Sequence, residues 1–251
     1  MDYLLGEFIL GVNPKYIREK VVIAPCWTPE SVGISELKKI GKGACQIWDC
    51  VIQEVAFTYI VTGVGASSSM DVVLVLNETS CKEILFIGSA GALKRGINIG
   101  DFAVPRGIIS GEGASRYIES DFSKDVFGKC LYATDELQHR LYLCLKKNLE
   151  GLEQSVYEGI GISVESILLQ YKHMENILDT KCDFIDMESS AFLAACNNIN
   201  IQGTVVFCIS DNVAQDEPLY RVSSDKTNYR KRVRKKIMPL VLKEFIYGYT
   251  E

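Results

Sequence analysis

The sequence predicts one α/β domain built on a mixed, mostly parallel central sheet with helices on both faces. Three observations carry this. Short runs rich in β-branched residues alternate with stretches of helical spacing along nearly the whole chain, the pattern of strands joined by crossover helices. The chain has 251 residues, 47% hydrophobic and 24% charged, enough for a large core and close to the globular average, which excludes a disordered or fibrous protein. No repeat, low-complexity segment or composition break marks a linker, so residues 1–251 are read as a single domain.

In chain order, residues 21–24 form a first strand, followed by a proline-bounded segment over 25–29 and an amphipathic stretch over 32–40. Residues 51–56 and 59–62 read as a hairpin pair ending on Gly63-Val64-Gly65. Helical spacing over 67–77 follows, opened by serines suited to capping. Residues 83–87 are the next strand, closing on a small-residue turn, Gly88-Ser89-Ala90-Gly91. Strand-like pieces at 101–105 and 107–110 lead to a helix over 137–149 and a strand over 156–163. A strand at 184–187, a helix at 188–197 and a strand at 204–209 complete the alternation. The tail from Asp225 is helical, with a kink at Pro239, which has no backbone N–H.

Several function classes are excluded early. The net charge of −5 argues against nucleic-acid binding as the main task. No apolar run approaches the roughly 18 residues that span a bilayer, and the opening MDYLLGEFIL lacks the basic segment of a secretory signal. The nine cysteines are odd in number, scattered and without a C-x-x-C pair, which predicts reduced thiols and a cytoplasmic protein. His139 and His173 stand apart from the cysteines and acids, so no metal is expected.

In an open α/β sheet, ligands bind at the carboxyl ends of strands near a reversal of strand order. That rule selects residues 24–29, 63–69, 88–91, and the ends at 186–188 and 210–211. Gly63-Val64-Gly65 begins like a dinucleotide fingerprint, but Ser68 stands at the third glycine position, and a bare G-x-G is more often a tight turn. At this level a nicotinamide or methyltransferase site stays open. Ser89 offers a hydroxyl and an N–H to an anion. Asp186, Met187 and Glu188 lie where a strand gives way to a helix, and Ser210-Asp211 end the next strand. Alone, such acids cap helices and loops. Two on successive strand ends, facing two glycine-bearing turns, point to a site.

The runs TGVGASSS (62–69), ILFIGSAGALKRGINIGDFAVP (84–105), GEGASRY (111–117), FIDMESSAFLAAC (184–196) and VVFCISDNVA (205–214) resemble those of the nucleoside phosphorylase superfamily. That group spans purine nucleoside and uridine phosphorylases and methylthioadenosine/S-adenosylhomocysteine nucleosidases. The resemblance implies their α/β fold and cleavage of an N-glycosidic bond, which builds positive charge on the ribose. It implies that Glu188 accepts hydrogen bonds from the ribose hydroxyls, Met187 packs on the sugar, and Asp211 protonates the leaving purine. By the same likeness Val64 lines the sugar–base cleft, and Ala90, Gly91 and the stretch from Val164 to Ile167 border the base. Ser89 binds phosphate, or sits near the attacking water, and Asp186 and Ser210 adjoin the substrate.

Two departures bear on the acceptor. The family's phosphorylases carry G-D-P-x-R after the first strand; here Ala24-Pro25-Cys26-Trp27-Thr28-Pro29 holds no arginine. Their second phosphate arginine falls where this chain has Phe86. Arginine is the preferred partner for phosphate, so another arginine (Arg18, Arg95, Arg106 or Arg116) would have to serve, from this chain or a neighbour. GEGASRY is phosphorylase-like. Six basic residues in seven over 230–236 overlie an apolar helical stripe and read as a solvated face without a site. The resulting expectation is phosphorolysis of a nucleoside, purine because a carboxyl such as Asp211 can serve its N7, in purine salvage. No cofactor is expected beyond phosphate as co-substrate, no nucleic acid or membrane partner, and a homo-oligomer, dimer or trimer of dimers, whose neighbour closes the site. The alternatives are a hydrolytic nucleosidase and a non-catalytic nucleoside-binding relative.

Overall fold

The structure, a computed structural model, describes residues 3–118 and 121–248. Among them twelve strands form one sheet: β1 (Lys20–Ala24), β2 (Glu36–Lys42), β3 (Gln46–Ile52), β4 (Val55–Val61), β5 (Glu83–Ala92), β6 (Phe102–Ala103), β7 (Gly107–Gly111), β8 (Cys130–Tyr132), β9 (Val156–Tyr157), β10 (Ile160–Val164), β11 (Phe184–Asp186) and β12 (Gln202–Asn212). The helices are α1 (Tyr3–Leu10), α2 (Ala66–Val75), α3 (Asp135–Leu149), α4 (Ile167–Gln170), α5 (Met174–Asp179), α6 (Ser189–Ile199) and α7 (Ser224–Tyr247).

The sheet runs β2-β3-β4-β1-β5-β11-β10-β7-β8, with β12 on β5, β6 on β12 and β9 on β6. It is mixed as expected: β1, β4, β5 and β12 are parallel neighbours, while β2–β3–β4, β5–β11 and β7–β8 pair antiparallel. Alternation along the central strands feeds two cores. Val21 and Ile23 of β1 join Met70 of α2 and Phe192 of α6 on one face; Val22 and Ala24 join Leu141 of α3 and Val241 of α7 on the other. This two-faced burial is why the central strands read as continuous apolar runs.

Local expectations meet several corrections. The hairpin reverses at Gln53-Glu54, inside the run assigned to its first strand, with β3 and β4 paired from Gln46↔Val61 to Ile52↔Val55. Both turn residues have positive φ, 46° and 72°, the handedness a two-residue hairpin needs. The amphipathic stretch over 32–40 divides into the end of a 3₁₀ turn (Pro29–Val32) and strand β2. The strand over 156–163 breaks at Glu158-Gly159 into β9 and β10. Residues 88–91 are no turn: β5 continues through them because β12 pairs with it as far as Asn212↔Ala92. The helical tail holds, with Pro239 inside α7. Gly33, at φ +88°, sits so close that a Cβ there would lie 2.7 Å from Pro239 Cγ, so the first turn and α7 are pressed together.

Candidate active site

The cleft forms where β5 changes partners. β1 pairs with it only as far as Ile23↔Phe86, and β11 takes up the same edge at Ile185↔Gly91. Residues 87–90 therefore have no strand on that edge, while β12 holds the other. Diverging neighbours open a sheet at its carboxyl ends, and a cavity of about 240 Å³ lies there. Pro25 and Cys26 line it from the end of β1, Val64 from the turn into α2, and Gly88, Ser89 and Gly91 from β5. Ile185 and Asp186 line it from β11, Met187 and Glu188 from the turn into α6, Ser210 and Asp211 from β12, and Ile167, Gln170 and Leu219 complete the wall. A larger depression of about 910 Å³ lies beside Glu112, Arg116 and Phe127, but Glu112 and Arg116 are engaged. Glu112 accepts from the Ala114 and Ser115 N–H groups, and Arg116 pairs with Asp125.

Asp186 sets up one end. Its carboxylate accepts from the Ser163 hydroxyl (2.5 Å) and from the Glu188 and Ser189 N–H groups (3.1 and 2.8 Å), an acid satisfying the first turn of α6. With its oxygens so occupied it positions the next acid rather than reaching a ligand. Glu188, only 6% exposed, turns away from the helix end and accepts from the Gly65 N–H at 2.8 Å. Gly65 holds φ +118°, a region closed to other residues without strain. Burial, and then the charge of Asp186, push the Glu188 carboxyl up to about 7. Burial likewise raises Asp186, against its hydrogen bonds.

Asp211 sets up the other end. A register shift between Ile209 and Asp211 lets one extra residue into β12, and such a bulge re-aims a side chain. The Ser210 hydroxyl donates to the Ala90 carbonyl (3.1 Å) and the Asp211 carboxylate (2.5 Å). Gly91 makes room: a Cβ there would lie 3.0 Å from both Asp211 Oδ2 and Ile185 Cγ2. Burial raises the Asp211 pKa, opposed by Ser210, the Arg230 charge and the Leu219 N–H. A carboxyl biased toward its protonated form can donate a proton to a leaving group.

Of the residues singled out in the sequence, Val64, Ser89, Gly91, Ile167, Asp186, Met187, Glu188, Ser210 and Asp211 meet in this cavity. Ala90 does not line it; its side chain lies in the core under α2 and α6. Val164 packs beside a small cluster around Leu93 and Ile162. Pro25, Cys26 and Gly88 sat in selected segments without being given a role in the site, and Gln170 and Leu219 were unmarked because residues in short turns carry no periodic signal. Phe86 fills its place with an aromatic core, 5.2 Å from Phe192 and 6.5 Å from Phe207 between ring centres. None of the four candidate arginines lines the cavity: Arg18 pairs with Asp49 and Arg116 with Asp125, and Arg95 and Arg106 are exposed. The basic run is not wholly solvated, since Arg234 is buried. Among the described residues no group of three His, Cys, Asp or Glu could hold a metal ion, and no helix is long and apolar enough to cross a membrane.

Both the sequence and the fold of this chain have counterparts of known family. The sequence model of the Phosphorylase superfamily matches residues 41–243, and the chain belongs to that superfamily. The same fold is found in uridine phosphorylase from Vibrio fischeri, with TM-score 0.75 and 19% identity over 95% of each chain. A second structure of that enzyme, bound to 6-hydroxy-1-naphthoic acid, gives 0.72 and 18% over 90% of each. Purine nucleoside phosphorylase from Toxoplasma gondii, in complex with immucillin-H, gives 0.73 and 20% over 96% of this chain and 98% of that one.

Proposed function

We propose that the chain cleaves the N-glycosidic bond of a purine nucleoside by phosphorolysis. The observation that carries this is one small cavity holding two buried carboxyl groups, Glu188 and Asp211, both raised by burial. Glu188 as carboxylate accepts from the ribose hydroxyls, and Met187 packs on the sugar. A phosphate oxygen bonds to C1′ as the C1′–N bond breaks, its electron pair passes to the base, and Asp211 delivers a proton to the purine nitrogen. The products are free base and ribose 1-phosphate. No cofactor is part of this reading, which places the enzyme in the cytoplasm as a homo-oligomer whose neighbour covers the rim.

Hydrolysis is the second reading, favoured by the absence of arginine from Phe86 and from the first turn. Gln170 adds an amide to the wall, a group able to read a pyrimidine, so inosine, adenosine and uridine are compared. Base release is measured with and without phosphate, and the sugar product identified. Ribose 1-phosphate from inosine at a phosphate-dependent rate supports the proposal; free ribose at a phosphate-independent rate replaces it with a nucleosidase.

A further inference from the structure

Arg234 is out of place for a member of a solvated basic run. It is 8% exposed, its Nε is buried without a hydrogen-bond partner, and its Cζ stands 4.5 Å from the centre of the Trp27 ring. Arg230, one turn earlier on α7, also buries an unpartnered Nε. Neither guanidinium has an ion-pair partner among the described residues. A buried cation without an anion is costly, and stacking on an aromatic face compensates only in part.

Neither arginine is part of the cavity wall itself; both stand behind it, on the side of the sheet covered by α7, close enough to act on Cys26, and Arg230 on Asp211. Leu85 and Ile87 of β5, and Val206 and Cys208 of β12, all enter the core beneath α7. By strand alternation Ser89 of β5 presents its side chain to that same face. Trp27, which carries Arg234, directly follows Pro25 and Cys26 in the cavity wall. The charges are felt there: burial and then Glu188 raise the Cys26 thiol, while Arg234 and Arg230 draw it down.

We propose that Arg234, with Arg230 beside it, forms an anion subsite on the α7 side of the cleft, facing Ser89, and that its ligand is the phosphate dianion that attacks the sugar. The cation absent from the first turn and from Phe86 is supplied by the C-terminal helix instead. A planar guanidinium stacked on Trp27 is held in one orientation, which suits bidentate contact with phosphate. This assignment rests on the phosphorolytic reading.

The test compares wild type with Arg234→Met, Arg234→Lys and, as a control on the exposed side of the same helix, Arg232→Met. Inorganic phosphate is titrated by calorimetry, and base release from inosine is followed against phosphate concentration. Arg234→Met weakens phosphate binding and raises the KM for phosphate about tenfold or more, leaving the KM for inosine within about twofold; Arg234→Lys recovers part, and Arg232→Met changes neither. Phosphate affinity unchanged in Arg234→Met, with only thermal stability lowered, overturns the proposal and leaves a stacking support for Trp27. Weakening confined to a nucleoside 5′-monophosphate also overturns it. If wild type yields free ribose regardless of phosphate, the phosphorolytic reading fails, and the calorimetric comparison alone decides whether the anion subsite exists. Should Arg234→Met not fold, Arg234→Lys and Arg230→Met are measured in the same way.

Discussion

At the scale of single residues, Glu188 and Asp211 have similar burial and, in the proposed reaction, opposite tasks. Asp211→Asn keeps the shape and removes the proton, so kcat with inosine falls about 10²–10⁴-fold while the unfolding midpoint is kept; turnover close to wild type would remove Asp211 from the mechanism. Glu188 makes a pH prediction whose sign follows from linkage. Its carboxyl is raised from 4.5 to about 7, by burial first and Asp186 second, so between those values the folded chain binds more protons than the unfolded one. The corresponding stability is whole below about pH 4.5 and is lost as pH rises to about 7, roughly 3 kcal/mol in all. Denaturant midpoints at pH 5 and pH 8 should therefore differ more in wild type than in Glu188→Gln, and equal differences would contradict the assignment. Activity moves the other way: kcat/KM for the nucleoside rises through about pH 7 as Glu188 ionises to accept from ribose.

Among elements, the seam between β5 and β12 fixes where Asp211 can stand. Gly91→Ala places a methyl 3.0 Å from its carboxylate, tight enough to push it aside, so kcat drops while circular dichroism is unchanged; full activity in that variant would show that the seam is slack. Much of this scale was legible in the sequence. β1, α3, α6 and the core of β12 announce themselves by apolar runs or helical spacing. The Gln53-Glu54 turn was hidden because neither residue is the asparagine or glycine that usually takes positive φ. Residues 88–91 looked like a turn because four small residues in a row suggest a break; what keeps them extended is β12, more than a hundred positions away, and no local signal encodes that. Asp211, Glu188 and Ser89 were legible because chemistry concentrates at strand ends. Arg234 was not, because a basic run on a helix reads as surface until a specific partner, here Trp27, is seen to bury one member.

For the whole molecule, several large apolar side chains lie open at the surface, Val64 of the cleft wall among them. Val64 is 60% and Leu168 81% exposed, with Leu169, Tyr117 and Phe127 also open, and large exposed apolar patches mark interfaces. Light scattering at micromolar concentration is expected to give a dimer or larger assembly; a monomer would remove the neighbour from the proposed site. The partner change of β5 has a consequence for how the enzyme comes into being. The Ser210 hydroxyl meets the Ala90 carbonyl across 120 positions of sequence, and Gly65 meets Glu188 across 123. Contacts so distant close late, since loop entropy must be overcome before they are rewarded. Turnover is therefore expected to return in the last phase of refolding, after most helical signal has recovered; activity that returns together with the first helical signal would contradict this. Activity in this protein is a report that the two halves of the chain have found each other.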